Sequence, residues 1–208
     1  MPHATHTIRQ LIENRISANH FDASRTLETQ QIEELVHLAT RAPSAYNFQN
    51  WKFVAVRTEA AKARLQALAF GQRKVSDAAV TFIICGTLAA HEGLPAALQP
   101  SVEAGIMGQA FADGWVNMAR ATHPEQPQLQ RDEALRSASL AAMTLMLAAE
   151  GMGLASSALS GFDAAGVARE FGLTEREVPV MLVTVGYAAP GNWPQKPRKP
   201  LADVLEFA

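Results

Sequence analysis

A single cysteine, Cys85, stands in the 208 residues, which excludes an intrachain disulfide framework and a cysteine-rich metal site. Charge is sparse as well: Asp, Glu, Lys and Arg make up 18% of the chain, and the net charge is −2. No whole-chain basic field is available to recruit nucleic acid or an anionic membrane surface. Long apolar runs are missing. The longest apolar-rich stretch, at about residues 138–149, falls short of the roughly 18 residues that mark a membrane span. Residues 1–12 contain no apolar core of signal-peptide length, so a cytoplasmic location is expected. The six histidines show no metal-ligand spacing, and no metal is expected. No G-x-S-x-G elbow marks a nucleophilic serine. Covalent chemistry on side chains has no visible carrier, so an enzyme built on this chain needs a cofactor to supply the reactive atom.

What is present describes an ordered chain. Apolar residues make up 48%, and 208 residues are enough for one domain, 1–208, with a substantial core. A low-charge surface suits a protein that hides area in an oligomer. The apolar spacing predicts helices over 7–15, 29–41 and 59–69, with an irregular polar turn over 14–24. Strands are expected at 52–57, 79–85, 154–159 and 178–185, the last a continuous apolar run. Asp163 is expected to cap a helix running to residue 171. Helices and strands mix without a βαβ rhythm, which reads as α+β. The stretch 86–130 holds Pro95, Pro100, Pro124 and Pro127, with a helix expected over 101–120. It is either a lid or a plain surface excursion. Within it, Met107, Phe111, Trp115 and Met118 share one helical face. From 132 to 150 the pattern is helical and apolar nearly all round, which expects burial on every side, at the domain centre or at a subunit interface. Gly151 and Gly153 stop this helix. The run Gly151-Met152-Gly153 follows a helix and leads into a strand, the reverse of a dinucleotide-binding fingerprint. Cys85 ends an apolar strand and reads as an inert, buried thiol.

The most informative segment is 42–51, Ala-Pro-Ser-Ala-Tyr-Asn-Phe-Gln-Asn-Trp. It packs hydroxyl, amide and aromatic groups into a connection between a core helix and a core strand. Directed polar groups beside aromatic surface suit a flat heteroaromatic ligand, although a helix stop at Pro43 followed by a polar loop explains it equally. Two basic spots remain, Arg15 with Ser17 near the N-terminus and Lys196 with Arg198 in the tail. Their value depends on whether they converge in space.

Taken in order, several segments resemble the FMN-dependent nitroreductase family. They are Arg15-Ile16-Ser17; Ala42-Pro43-Ser44 with Asn47, Gln49 and Trp51; Phe70-Gly71-Gln72-Arg73-Lys74; Leu159-Ser160-Gly161-Phe162-Asp163; and Lys196-Pro197-Arg198. The resemblance implies a nitroreductase-like fold: a central, mostly antiparallel sheet flanked by helices, with a long buried central helix and an intertwined homodimer that holds FMN at its interface. It implies that Arg15, Lys196 and Arg198 meet the FMN phosphate, helped by Ser17, with Ile16 and Asn19 in the same turn. Pro43, Ser44, Ala45 and Asn47 would approach the flavin from the partner subunit. Lys74 or Gln72 would face the pyrimidine edge. Leu159, Ser160 and Gly161 would lie against the ring, a backbone N–H near flavin N5. Phe111 and Trp115 would help shape the acceptor pocket. Asn19 and Gly71 depart from the residues that members often carry and bear on the flavin's potential. The implied activity is NAD(P)H-dependent reduction of a small electron-poor acceptor, a nitroaromatic or quinone, by a two-step exchange. Reduction of a small carbonyl, enone or halogenated substrate, or flavin binding without turnover, are the alternatives.

Overall fold

The computed structural model describes residues 7–208. Four strands form one sheet: β1 (Trp51–Val56), β2 (Val80–Thr87), β3 (Ala155–Leu159) and β4 (Glu177–Gly186). Their order is β1-β2-β4-β3, and each neighbouring pair is antiparallel. The helices are α1 (Ile8–Asn14), α2 (Thr29–Ala39), α3 (Glu59–Leu68), α4 (Arg73–Asp77), α5 (Ala90–Glu103), α6 (Gln109–Thr122), α7 (Pro127–Gly151) and α8 (Ala164–Glu170). The short α4 has no counterpart in the sequence reading.

The central strands are apolar on both sides because both sheet faces are covered. Phe82 and Ile84 of β2 point to one face, where they join Ile32 and Leu35 of α2 and Ala138, Ala142 and Leu145 of α7. Ile83 and Cys85 point to the other, among Leu65, Val75, Val167 and Leu182. Burial there pushes the Cys85 thiol up to about 12, which makes it inert at neutral pH. A register shift between Ile84 and Cys85 admits Pro179 opposite Cys85, so β4 keeps a proline inside a central strand.

The helix α7 begins with Pro127 at its first turn, five residues ahead of the expected start. It ends in a Schellman motif, with Leu154 N donating to Ala149 O (2.8 Å) and Gly153 N to Glu150 O (3.0 Å), Gly153 sitting at φ 70°. Its sheet side is mostly small: Ala134, Ser137, Ala138, Ala141, Ala142 and Ala149 are buried. Small residues let the backbones approach so closely that a Cβ on Gly86 of β2 would sit 2.5 Å from Ala134 O. The expectation of burial on every side is corrected for the single chain. Leu140 is 46% exposed and Met143 38%, because these two side chains face away from the buried Leu145 and Met146 side of the helix.

The stretch 86–130 is two helices instead of one. Pro95 and Pro100 lie inside α5, on its exposed side, and do not bound the segment. The pair α5–α6 has its own apolar cluster of Leu94, Leu98, Ala112, Val116 and Ala119, completed by Phe48 from the 42–51 loop. Of the four residues expected on one face, Met107 and Trp115 are partly buried against this cluster, while Phe111 (58%) and Met118 (51%) are exposed.

Candidate functional site

The two basic spots, far apart in sequence, meet. After α1 the chain runs beside the edge strand β3: Ser17 bridges Ser156 in parallel, and Ala18 N donates to Ser156 O at 3.0 Å. It then pairs with the chain leaving β4, through a Phe21–Ala188 bridge, Asp22 N to Tyr187 O (2.9 Å) and Ala189 N to His20 O (3.1 Å). The Asn192 side chain fastens the junction with four hydrogen bonds. Its Oδ1 accepts from Asn19 N (2.7 Å) and His20 N (3.0 Å), and its Nδ2 donates to His20 O (2.8 Å) and Ala189 O (3.0 Å). Further along, Gln195 Nε2 donates to Arg15 O at 2.8 Å and Gln195 Oε1 accepts from Arg198 Nη2 at 2.8 Å. The result is a cleft of about 130 Å³ lined by Ser17, Trp193, Pro194, Gln195, Lys196 and Arg198. Arg15 borders it by its backbone, and its side chain folds back to donate to Ile16 O at 3.1 Å.

A larger cleft of about 390 Å³ is lined by Asn19, His20, Gln72, Arg73, Lys74 and Asp77. Half-buried Lys74 reaches Ser157 Oγ (3.3 Å) and Asn19 Oδ1 (3.4 Å), both long bonds. Burial holds its ammonium below the usual lysine range, and the positive charge of Lys196 adds to the effect, so the field of the first cleft reaches the second. No ion pair among the described residues involves Arg15, Lys74, Lys196 or Arg198. Four gathered cations without a carboxylate partner make a site for an anion.

Leu159 is buried as the last residue of β3, and the exposed Ser160 and Gly161 follow it. Phe162 N donates to Ser160 O at 3.2 Å, closing a three-residue turn over Gly161, and Asp163 N donates to Leu68 O at 2.8 Å. Asp163 caps α8 as expected, accepting from Gly166 N at 3.0 Å. Gln72 lines the larger cleft, but its Nε2 hydrogens go to Gly161 O (2.8 Å) and Ala69 O (3.0 Å). Gly71, at φ 75°, lets the chain turn between α3 and α4.

The 42–51 loop is a third component. Tyr46, Asn47 and Gln49 all adopt positive φ (52°, 59° and 49°), a conformation costly for residues with a Cβ. Packing offsets that cost. Tyr46 lies 5.3 Å from Phe48, 5.9 Å from Trp115 and 6.0 Å from His123 between ring centroids, and Ser44 Oγ accepts from Gln49 N at 2.9 Å. Ala45 is half-buried on the same cluster, whereas Pro43 and Asn47 are exposed. Within the chain this loop belongs with α5–α6; among the described residues no hydrogen bond or ring contact joins it to the Arg15–Lys196 cleft.

Sequence reasoning missed Asn192, Trp193 and Gln195. Their signal was weak: amide side chains flanking prolines in a basic tail read as turn formers. Among the described residues no group of His, Cys, Asp and Glu could hold a metal ion, and no helix is long and apolar enough to cross a membrane.

The architecture is thus an α+β sheet with a cationic cleft at its β3 edge and an exposed glycine turn after β3. Residues 12–187 match the model of the nitroreductase family, and the chain belongs to that family. It is 31% identical over 195 residues to YodC of Bacillus subtilis (strain 168), provisionally named an NAD(P)H nitroreductase, covering 93% of this chain and 95% of that one. It is 28% identical over 189 residues to a CLA biosynthesis enone reductase from Lactiplantibacillus plantarum, covering 85% and 83%. A crystal structure of an Exiguobacterium sibiricum protein assigned as a nitroreductase, in complex with FMN, superposes with a TM-score of 0.91 at 28% identity and covers 99% of each chain.

Proposed function

We propose that this chain binds FMN and passes electrons from NADH or NADPH to a small electron-poor acceptor, a nitroaromatic or a quinone. The observation that carries the reading is one cleft lined by Lys196 and Arg198, which form no ion pair among the described residues, and bordered by the backbone of Arg15 from the other end of the sequence. It fits a phosphate of nearly two negative charges, with Ser17 as a further donor. FMN held there would supply the redox chemistry, accepting hydride from NAD(P)H and passing the electrons on to the acceptor. The chain's own part is to bind and orient. Ser160 and Gly161 present exposed backbone with no Cβ at Gly161, so a ring can come within hydrogen-bond distance of the Gly161 N–H. Lys74 places a positive charge at the polar edge, where it favours the anionic reduced state.

The rest of the site comes from a second copy in this reading. Leu140 and Met143 on α7 and Ile8 and Ile12 on α1 are large exposed apolar residues, and a homodimer through α7 covers them. That assembly brings Pro43, Ser44, Ala45 and Asn47 to the partner's flavin. The pair α5–α6 serves as a lid on a single-domain chain, its exposed Phe111 tilted at 53° against Trp115 with 5.2 Å between ring centroids. NAD(P)H as the donor makes the cytoplasm the place of action. An enone as acceptor is the second reading, favoured by the similarity to the enone reductase.

The test starts from the visible spectrum of the purified protein. FMN absorbance that bleaches with anaerobic NADH or NADPH, and returns with a quinone, is the expected result. Replacing Arg15, Lys196 or Arg198 by Ala weakens FMN binding by about 2 kcal/mol each, near thirtyfold, with unchanged far-UV circular dichroism. A chain that stays colourless and takes up no FMN at micromolar concentration overturns the reading.

A further inference from the structure

We propose that Gln72 is a positioning residue that fixes the Gly161 turn so that one backbone N–H stays open and aimed. The proposal rests on the FMN reading for what that N–H meets, and on this chain's own geometry for the rest.

The turn is held at three points. Phe162 N donates to Ser160 O, and Ser160 O belongs to the same peptide group as the Gly161 N–H. That bond therefore sets the plane in which the Gly161 N–H points. Asp163 N donates to Leu68 O, tying the turn to the end of α3. The third point is a side chain. Gln72 Nε2 spends one hydrogen on Gly161 O at 2.8 Å and the other on Ala69 O at 3.0 Å. It thus bolts the turn to the α3–α4 junction, where Gly71 N donates to Gln66 O at 2.9 Å.

Gly161 N, by contrast, has no hydrogen-bond partner among the described residues, in a residue exposed to solvent. A donor left open between two anchored carbonyls can meet a ligand acceptor without first giving up a bond. The nearest side-chain atom to a Cβ built on Gly161 is Gln72 Nε2, at 3.6 Å, so the same side chain also backs the turn from behind. Both Gln72 hydrogens are used inside the protein. Its role is to hold the turn, and the orientation of a donor toward flavin N5 depends on it.

The experiment compares wild type with Gln72→Met, which keeps volume and neutrality and removes both donors. Gln72→Ala is the second variant, since α4 is anchored by buried Val75 and not by residue 72. Three readouts are taken: amide hydrogen exchange without FMN, FMN affinity, and the 15N resonances of labelled FMN bound to the protein. Both variants are expected to exchange the Phe162 and Asp163 amides at least about tenfold faster, as loss of a bond near 1.4 kcal/mol allows. The N5 resonance moves downfield as its donor is lost, while N1 and N3 hold. FMN affinity stays within about threefold, because the phosphate cations are untouched, and hydride transfer slows about tenfold. Unchanged exchange and an unmoved N5 resonance overturn the proposal. Faster exchange with an unmoved N5 resonance also overturns it, by showing a hold that does not reach the flavin. Wild-type protein that binds no FMN refutes the flavin reading instead, and the exchange data alone then decide whether Gln72 holds the turn.

Discussion

Asn192→Ala tests whether anion binding at the Lys196–Arg198 cleft is a property of cations or of the joint that gathers them. The side chain touches no cleft surface in its own right. It closes three hydrogen bonds to the 19–20 segment and a fourth to Ala189 O within the tail, and Lys196 and Arg198 follow four and six residues later. A neutral bond contributes about 0.5–1.5 kcal/mol, and these groups are accessible enough for water to replace part of it. Gln195 still ties the tail to Arg15 O, so the tail is loosened and not released. A ligand must then re-order a few residues at about 1–2 kcal/mol each, of which the surviving bond spares some. The expected loss is about 2 kcal/mol in FMN affinity, near thirtyfold. Fluorescence titration of the flavin-free protein measures it. Salt separates this mechanism from charge removal. Asn192→Ala keeps every cation and should retain the wild-type salt dependence of binding, whereas Lys196→Ala should flatten it. Affinity within twofold of wild type, or a flattened salt dependence, refutes the joint as the organising element.

Gly86→Ala drives a Cβ to within 2.5 Å of Ala134 O on α7, so one backbone must shift; a cost of about 2–3 kcal/mol lowers Tm by roughly 5–10 °C, and unchanged calorimetry disproves the close approach. Burial pushes the Glu177 carboxyl up, but hydrogen bonds from Lys52 Nζ (2.7 Å) and Thr174 N outweigh it and hold the group below the usual carboxylate range. A depressed folded pKa stabilises above the unfolded value of 4.5 and loses that contribution as pH falls through the folded one. Lys52→Met should therefore cost about 1 kcal/mol at pH 7 and flatten the acid limb of denaturant stability below about pH 5, and two parallel acid limbs would contradict the pairing. On α6, Val116→Ala cuts the packed stripe and should cost about 2 kcal/mol, while exposed Phe111→Ala should cost under about 1 kcal/mol and alter the relative rates on a small and a bulky quinone. The reverse pattern, measured by melting beside turnover, would assign Phe111 to the core.

The sheet is legible because its strands carry their own signature. Apolar runs at 79–85 and 178–185 announce β2 and β4, and Asp163 announces α8, since these depend on local chemistry. The 86–130 stretch misleads because proline is read as a boundary, yet Pro95 and Pro100 lie on the outer side of α5, where a lost N–H is tolerated. The α7 periodicity misleads differently. It cannot distinguish alanine packed on a sheet from leucine awaiting another surface, because both count as apolar. Arg15, Ser17, Lys196 and Arg198 are individually bland, and what joins them is a set of long-range backbone pairings around Phe21 and Ala188. Asn192 and Gln72 are invisible for the same reason. Each acts through a partner 89 or more positions away, and no local pattern encodes that distance.

The joint between residues 19–22 and 187–192 has a consequence in time. The anion cleft closes a loop of nearly the whole sequence, so it is among the entropically slowest contacts for a growing polypeptide to make. α2, β1, β2 and α7 all precede the second cationic segment in the chain. The cleft is therefore complete only after Lys196 and Arg198 have been made, because both line it.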